Sequence, residues 1–243
     1  IITKLGFFMS NKIKSGLLLE QSYSLDIQLS PAITLLYNAF RKHNVKLYIV
    51  GGAVRDALKN EIPDDFDVAT PAIPDEVNFI LTSENIYNFP SGKAFGIVTA
   101  VIEEEEFQIA SFRKEDYTNG DGRKPTWVGY SDKIEDDVNR RDFTINALYY
   151  DIATKKVIDL VGGVEDLKKN KIRPVGSAMD RFTEARLRAW RAIRFSNRFG
   201  TELEPDIVKA IQHYKDLPGV SNERIFEEFE KGLKQSIKPE KFI

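Results

Sequence analysis

Apolar residues at Ile33, Leu36, Ala39 and Phe40 recur at helical spacing, and Ser30-Pro31 just ahead offers an N-cap oxygen and a first-turn proline. A helix is therefore predicted from Pro31. Val45 to Val50 reads as a short buried strand running into Gly51-Gly52, with a helix from about Ala53 to Lys59. Phe66 to Ala69 predicts another strand and Pro74 to Leu81 another helix. Gly96 to Ile102 and Phe107 to Phe112 predict a hairpin turning at the acidic run Glu103–Glu105. Arg113 to Asp132 is polar, glycine-bearing and aperiodic, which predicts a long loop. Thr144 to Tyr150 resumes a regular element, and Val157 to Leu160 a strand.

After Gly162-Gly163 the pattern becomes helical, with breaks near Pro174, Gly200–Pro205 and Pro218-Gly219. Gly200 is placed to end a long helix that begins near Thr183. The chain thus divides into an N-terminal extension (1–28), an α/β head (29–160) and a helical unit (161–243).

With 42% hydrophobic and 30% charged residues, the composition is that of a globular protein, and no apolar run reaches membrane-spanning length. Ile1–Phe8 has no basic flank or cleavage site and is not read as a signal peptide; Met9 is the expected start, and the cytoplasm the expected location. There is no cysteine, and the two histidines, His43 and His213, lie far apart. A catalytic metal must then be held by oxygen, which points to magnesium or manganese. Glu103 to Asp142 holds twelve acidic and seven basic residues, whereas Lys171 to Gly200 holds eight basic and two acidic. An acidic centre followed by a basic stretch suggests a metal site beside a polyanion surface.

Three groups of residues carry candidate chemistry. Gly51-Gly52-Ala53-Val54-Arg55-Asp56 lies between a strand and a helix, where glycines admit a phosphate close to free N–H groups and Arg55 can add charge. An ordinary strand–helix turn would look the same. Asp65 and Asp67 flank Phe66; on a strand they share a face, with Cα atoms roughly 6–7 Å apart. Such a pair can hold magnesium that bridges a triphosphate, or it can be a solvated acidic turn. Arg140-Arg141-Asp142-Phe143-Thr144-Ile145-Asn146-Ala147 offers two guanidiniums, a carboxylate and an amide for triphosphate and ribose, or else an ordinary capped element with surface arginines.

In this order, from about Leu47 to Leu233, the three groups resemble the class II tRNA nucleotidyltransferase and bacterial poly(A) polymerase family. The resemblance implies an α/β head of the DNA polymerase β-like nucleotidyltransferase type followed by an all-helical neck. It further implies a magnesium enzyme, of two-metal type, that adds nucleotides to an RNA 3′ end, foremost CCA from CTP and ATP on tRNA. Poly(A) addition, partial CC or A addition, and a non-catalytic RNA- or nucleotide-binding module are the alternatives. By resemblance Asp65 and Asp67 are the catalytic metal ligands, and Gly51, Gly52 and Arg55 cradle the triphosphate, with Asp56 a structural partner. Arg140, Arg141, Asp142 and Asn146 form the ribose-discriminating motif. Asp121–Pro125 resembles the family's mobile loop, Asp159–Leu167 its hinge, and Ser221–Ile225 a bracing motif of the neck.

The chain departs from the family pattern in three places. Gln108 stands where a third catalytic carboxylate is usual; either Glu106, two residues earlier, substitutes for it, or the acidic run is a solvated hairpin turn and Asp65 and Asp67 suffice. The base-selecting Glu-Asp-x-x-Arg reads Glu184-Ala185-Arg186-Leu187-Arg188, which keeps the Arg188 donor but loses an acceptor; weakened CTP/ATP selectivity is expected. The chain also stops at Ile243, soon after the neck motif, so a fragment or a short member is expected. Of Arg188, Arg191, Arg194 and Arg198, one is expected to serve the base, with Arg188 and Arg191 the nucleotide-binding candidates, and others to meet RNA phosphates; the alternative is ion pairs with head carboxylates. Trp190, Phe195 and Phe199 are expected in the core.

Overall fold

The computed structural model describes residues 21–236 except 64, 93–95, 119, 121–124 and 218. The expected start at Met9, most of the Asp121–Pro125 loop, the Pro218 break and the end at Ile243 lie outside the described residues.

An eight-stranded mixed sheet runs in the order β1 (Gln21–Ser24), β10 (Lys156–Asp159), β9 (Leu148–Asp151), β2 (Tyr48–Val50), β3 (Val68–Thr70), β6 (Glu105–Ser111), β5 (Ile97–Ile102), β4 (Tyr87–Gly92). Its pairs are antiparallel except β3 with β6. One face is closed by α1 (Pro31–Lys42) and α3 (Pro74–Ser83), whose Ile33, Leu36, Phe40, Val77 and Leu81 meet Ile49, Val68 and Ile109. The Ser30 hydroxyl accepts from Ile33 N, capping α1 as its sequence predicts. Glu103 and Glu104, both at positive φ (49° and 69°), form the two-residue turn between β5 and β6.

The other face carries Tyr48, Val50, Ala69, Phe112 and Tyr149, packed with Val138 of α4 (Ile134–Asn139). Beyond the sheet, α6 (Ala178–Glu184), α7 (Arg188–Phe199), α8 (Pro205–His213) and α9 (Asn222–Gln235) surround a second core. Phe143 and Ile145 of the third motif insert into that core, so the motif itself joins sheet to helices. A second joint follows β10. Asp159 accepts from the backbone N–H groups of Val161, Gly162, Gly163 and Val164, which fixes the turn into α5 (Gly163–Lys168). A Cβ on Gly163 would sit 2.1 Å from the Thr144 carbonyl oxygen, so the close approach needs glycine there.

Four expectations need correction. Arg113–Asp132 is not a loop throughout: β7 (Arg113–Asp116) and β8 (Trp127–Tyr130) form a separate two-stranded ribbon. Its polar residues hid it, since ladder hydrogen bonds impose no hydrophobic period. The helix expected from Thr183 to Gly200 breaks at Ala185, which is extended (φ −147°, ψ 96°). Arg188 there donates to the carbonyls of Arg181 and Arg140, and these contacts overrule the helix propensity of Ala-Arg-Leu-Arg. Thr144–Asn146 is a single 3₁₀ turn ahead of β9, not part of one element reaching Tyr150. Strands β1 and β4 were not anticipated, and β1, inside the stretch read as an extension, pairs with β10 at the sheet edge.

Candidate active site

The end of β2 brings the three motifs together. Val50 N donates to the Asp67 carbonyl at 3.0 Å, and Gly51 N donates to the Leu148 carbonyl at 3.1 Å. Gly51 has φ +71°, a conformation suited to glycine, and starts α2 (Gly52–Leu58), whose first turn has no side-chain cap. A Cβ on Gly51 would lie 3.7 Å from Arg141 Nη1 and 3.8 Å from the Asn146 carbonyl oxygen, so this glycine lines the third motif.

Asp65 and Asp67 precede β3 rather than lying on it; both keep open surface, although protein atoms crowd around the Asp67 carboxyl. The parallel register pairs Val68 with Ile109. Asp67 and Gln108 are the residues immediately before that first pair, so amide and carboxylate lie at the same end of the two strands. Protein crowding raises the Asp67 carboxyl above its ordinary range, the charge of Asp65 adds to the rise, and Arg141 opposes it. Two neighbouring carboxylates, the charge of Asp67 disfavoured by crowding and by Asp65, fit a divalent cation completed by phosphate oxygens and water. Glu106 does not join them: among the described residues no group of three metal-binding carboxylate or imidazole side chains forms.

The arginines expected to meet a ligand are held mostly by protein. Arg55 is buried; its Nη1 donates to Asn146 Oδ1 at 2.6 Å, and its Nε and Nη2 donate to Asp56. It also lies over the rings of Phe195 and Phe199. Asp56 also accepts from Arg198, as a structural partner would. Arg141 donates to the Tyr149 hydroxyl, the Asn146 carbonyl and Asp137, and Arg140 donates to Asp137.

Asp137, outside the three motifs, is fully buried beneath this pair and also accepts from the Tyr149 hydroxyl. Burial alone would raise its carboxyl, but Arg141 and Arg140 hold it below the ordinary range. Its signal was faint: one acid among Glu135-Asp136-Asp137, three and four residues before two arginines.

Asp142 is buried at the junction with the helices. Its Oδ1 accepts from Phe143 N and Asn146 Nδ2, and its Oδ2 from Arg191 Nε at 2.6 Å. Burial would raise this carboxyl, but the Arg191 and Arg188 charges dominate and bring it to about 2. Arg191 also reaches Glu228 of α9, which accepts from Arg194 at 2.8 Å; no motif or spacing points to Glu228. Arg188 is buried, donating to Glu184 Oε2 at 2.7 Å and to the Arg140 carbonyl at 2.6 Å. Arg191 and Arg198 thus pair with carboxylates of the head, Asp142 and Asp56, whereas the acidic partners of Arg188 and Arg194 are Glu184 and Glu228 of the helical part. Phe195 and Phe199 are core, while Trp190 is partly buried against Phe229.

The Poly A polymerase head domain model matches residues 47–173. The CCA-adding enzyme of Bacillus licheniformis is 38% identical over 201 residues, covering 82% of this chain and 49% of that protein. The CCA-adding enzyme of Streptococcus pneumoniae is 40% identical over 191 residues, covering 76% and 45%. Among solved structures, the Bacillus stearothermophilus CCA-adding enzyme in complex with CTP superposes with a TM-score of 0.73 at 33% identity, over 85% of this chain and 50% of that one. The Thermotoga maritima CCA-adding enzyme complexed with tRNA gives 0.68 at 25% identity, over 88% and 50%. The chain spans about half the length of these relatives.

Proposed function

Because the chain belongs to the poly A polymerase head-domain family, we propose that it is a nucleotidyltransferase extending the 3′ end of an RNA, foremost by adding CCA to tRNA from CTP and ATP. The convergence of Gly51, Asp67, Arg141, Asp142 and Asn146 at the end of β2 carries this reading. In the reaction the RNA 3′-hydroxyl attacks the α-phosphate, a new phosphate ester forms, and pyrophosphate leaves.

Asp65 and Asp67 would hold magnesium, which when bound neutralises phosphate charge and favours ionisation of the attacking hydroxyl. Gly51 admits the phosphates without steric cost. Arg141, raised in pKa by Tyr149 and Asp137 against the effect of burial, keeps its positive charge beside them. Asn146, oriented by Arg55, and Asp142, oriented by Arg191, form a polar pair for the ribose. Arg188 is the base-edge donor, its guanidinium anchored by Glu184 and the Arg140 carbonyl. Cytoplasmic residence belongs to the same reading; among the described residues no helix is long and apolar enough to cross a membrane.

Gln108 beside Asp67 favours a second reading, a non-catalytic RNA- or nucleotide-binding module, because an amide cannot be an anionic metal ligand. One assay separates the two. Purified protein, magnesium and a tRNA lacking its 3′ CCA are incubated with CTP, ATP or both, and products are resolved at single-nucleotide length. Growth by C, C and A, abolished in Asp65→Ala, is expected. Long A tails would place poly(A) addition first, and no growth with unimpaired RNA binding would favour the module.

A further inference from the structure

The ribbon β7–β8 has two unlike faces. Its register pairs Arg113 with Tyr130, Lys114 with Gly129, Glu115 with Val128 and Asp116 with Trp127. Alternation puts Arg113 and Glu115 on the inner face, where Glu115 accepts from Arg113 Nε at 2.7 Å and from the Tyr117 hydroxyl at 2.6 Å, with Arg140 Nη1 3.8 Å away. The outer face carries Lys114, Asp116, Trp127 and Gly129.

On that outer face the Trp127 ring lies against Gly129. A Cβ on Gly129 would be 2.1 Å from Trp127 Cη2 and 2.5 Å from Cζ2, so the six-membered ring covers the glycine Cα. Trp127 nevertheless remains 57% exposed. A large aromatic seated on backbone and left open is already ordered, so a second flat group can stack on it at little entropic cost. Lys114, directly across from Gly129, is exposed and pairs with Asp136 at 3.2 Å, a surface contact a phosphate can readily replace.

We propose that Trp127 is a stacking platform for an unpaired base near the RNA 3′ end, with Lys114 meeting the adjoining phosphate. This rests on the RNA-extending function proposed above. The position suits it, because β7 follows β6, which bears Gln108 beside Asp67, and β8 leads into α4 and on to Arg140 and Arg141. The strands that brace Arg140 on one face thus present the platform on the other. Aromatic stacking is indifferent to base identity, as suits a strand whose terminal base changes at each addition.

The chain has two tryptophans, so Trp190→Phe leaves Trp127 as sole reporter. Titrating that full-length variant with a single-stranded hexaribonucleotide, without nucleotide or magnesium, is expected to quench its fluorescence saturably. In the addition assay Trp127→Ala is expected to raise KM for the truncated tRNA about tenfold with KM for CTP within about twofold, and Trp127→Phe to recover most of the loss. Gly129→Val keeps the indole but displaces its seat, and should match Trp127→Ala. An unchanged KM for RNA in both Trp127→Ala and Gly129→Val, with addition continuing, would overturn the platform and leave the enzyme reading intact. A rise confined to KM for CTP would also overturn it, by assigning the ring to the incoming base. Saturable quenching by RNA in a protein that adds no nucleotide would keep the platform and remove the enzyme reading.

Discussion

Asp142→Asn tests whether the charge joining the third motif to α7 is as strong as its geometry implies. The carboxylate is buried, accepts from Arg191 at 2.6 Å, and titrates at about 2 against an ordinary value of 3.8. The lowered value corresponds to about 2–3 kcal/mol at neutral pH. Because the folded value is the lower one, this stability is complete above the unfolded pKa and is lost as pH falls through about 4 towards about 2. Linkage leaves about half of it at pH 3.

Asparagine keeps an acceptor for Phe143 N but has no charge to lose. Urea unfolding of both proteins is therefore expected to give a destabilisation of about 2–3 kcal/mol at pH 7, shrinking by about 1 kcal/mol at pH 3. Arg191 retains Glu228, which limits the cost of leaving it without its main partner. A difference that is constant between pH 7 and pH 3, or below about 0.5 kcal/mol throughout, would refute the reasoning.

Gly163→Ala is expected to cost about 3 kcal/mol or more, read as a lower urea midpoint, because the new methyl meets the Thr144 backbone and cannot be relieved by a rotamer change. Asp137→Asn should destabilise by about 3–5 kcal/mol, since Arg140 and Arg141 lose a shared buried counter-charge; a variant within about 1 kcal/mol of the wild type in the same assay would contradict the network. Ala185→Asp restores an acceptor three residues before Arg188 and should sharpen CTP/ATP selectivity about tenfold, measured as the ratio of kcat/KM values; an unchanged ratio would remove Ala185 from base selection. Gly51→Ala forces a Cβ into a φ of +71° and should lower nucleotide addition at least tenfold while the far-UV circular dichroism stays native.

What the sequence determined by itself was local. Ser30-Pro31 placed a helix start, the apolar run to Val50 a buried strand that forms over Tyr48–Val50, and Gly51-Gly52, Asp65/Asp67 and Arg140–Asn146 the candidate chemistry, because caps, periodicity and glycine turns act over a few residues. Contacts that depend on distant partners were decided only by the fold. Phe143 and Ile145 look like any apolar pair, yet they bury in the helical core while Asp142 and Asn146 beside them meet the site. Whether Arg55, Arg188 and Arg191 face a ligand or protein depended on Asn146, the Arg140 carbonyl and Asp142, which are 91, 48 and 49 residues away. The β7–β8 ribbon and the break at Ala185 likewise arise from hydrogen bonds whose partners no local pattern announces. Residue types therefore announced the chemistry, and the burial and pairing of their charges awaited the tertiary structure, because a guanidinium's partner is set by what the chain brings within about 3 Å of it.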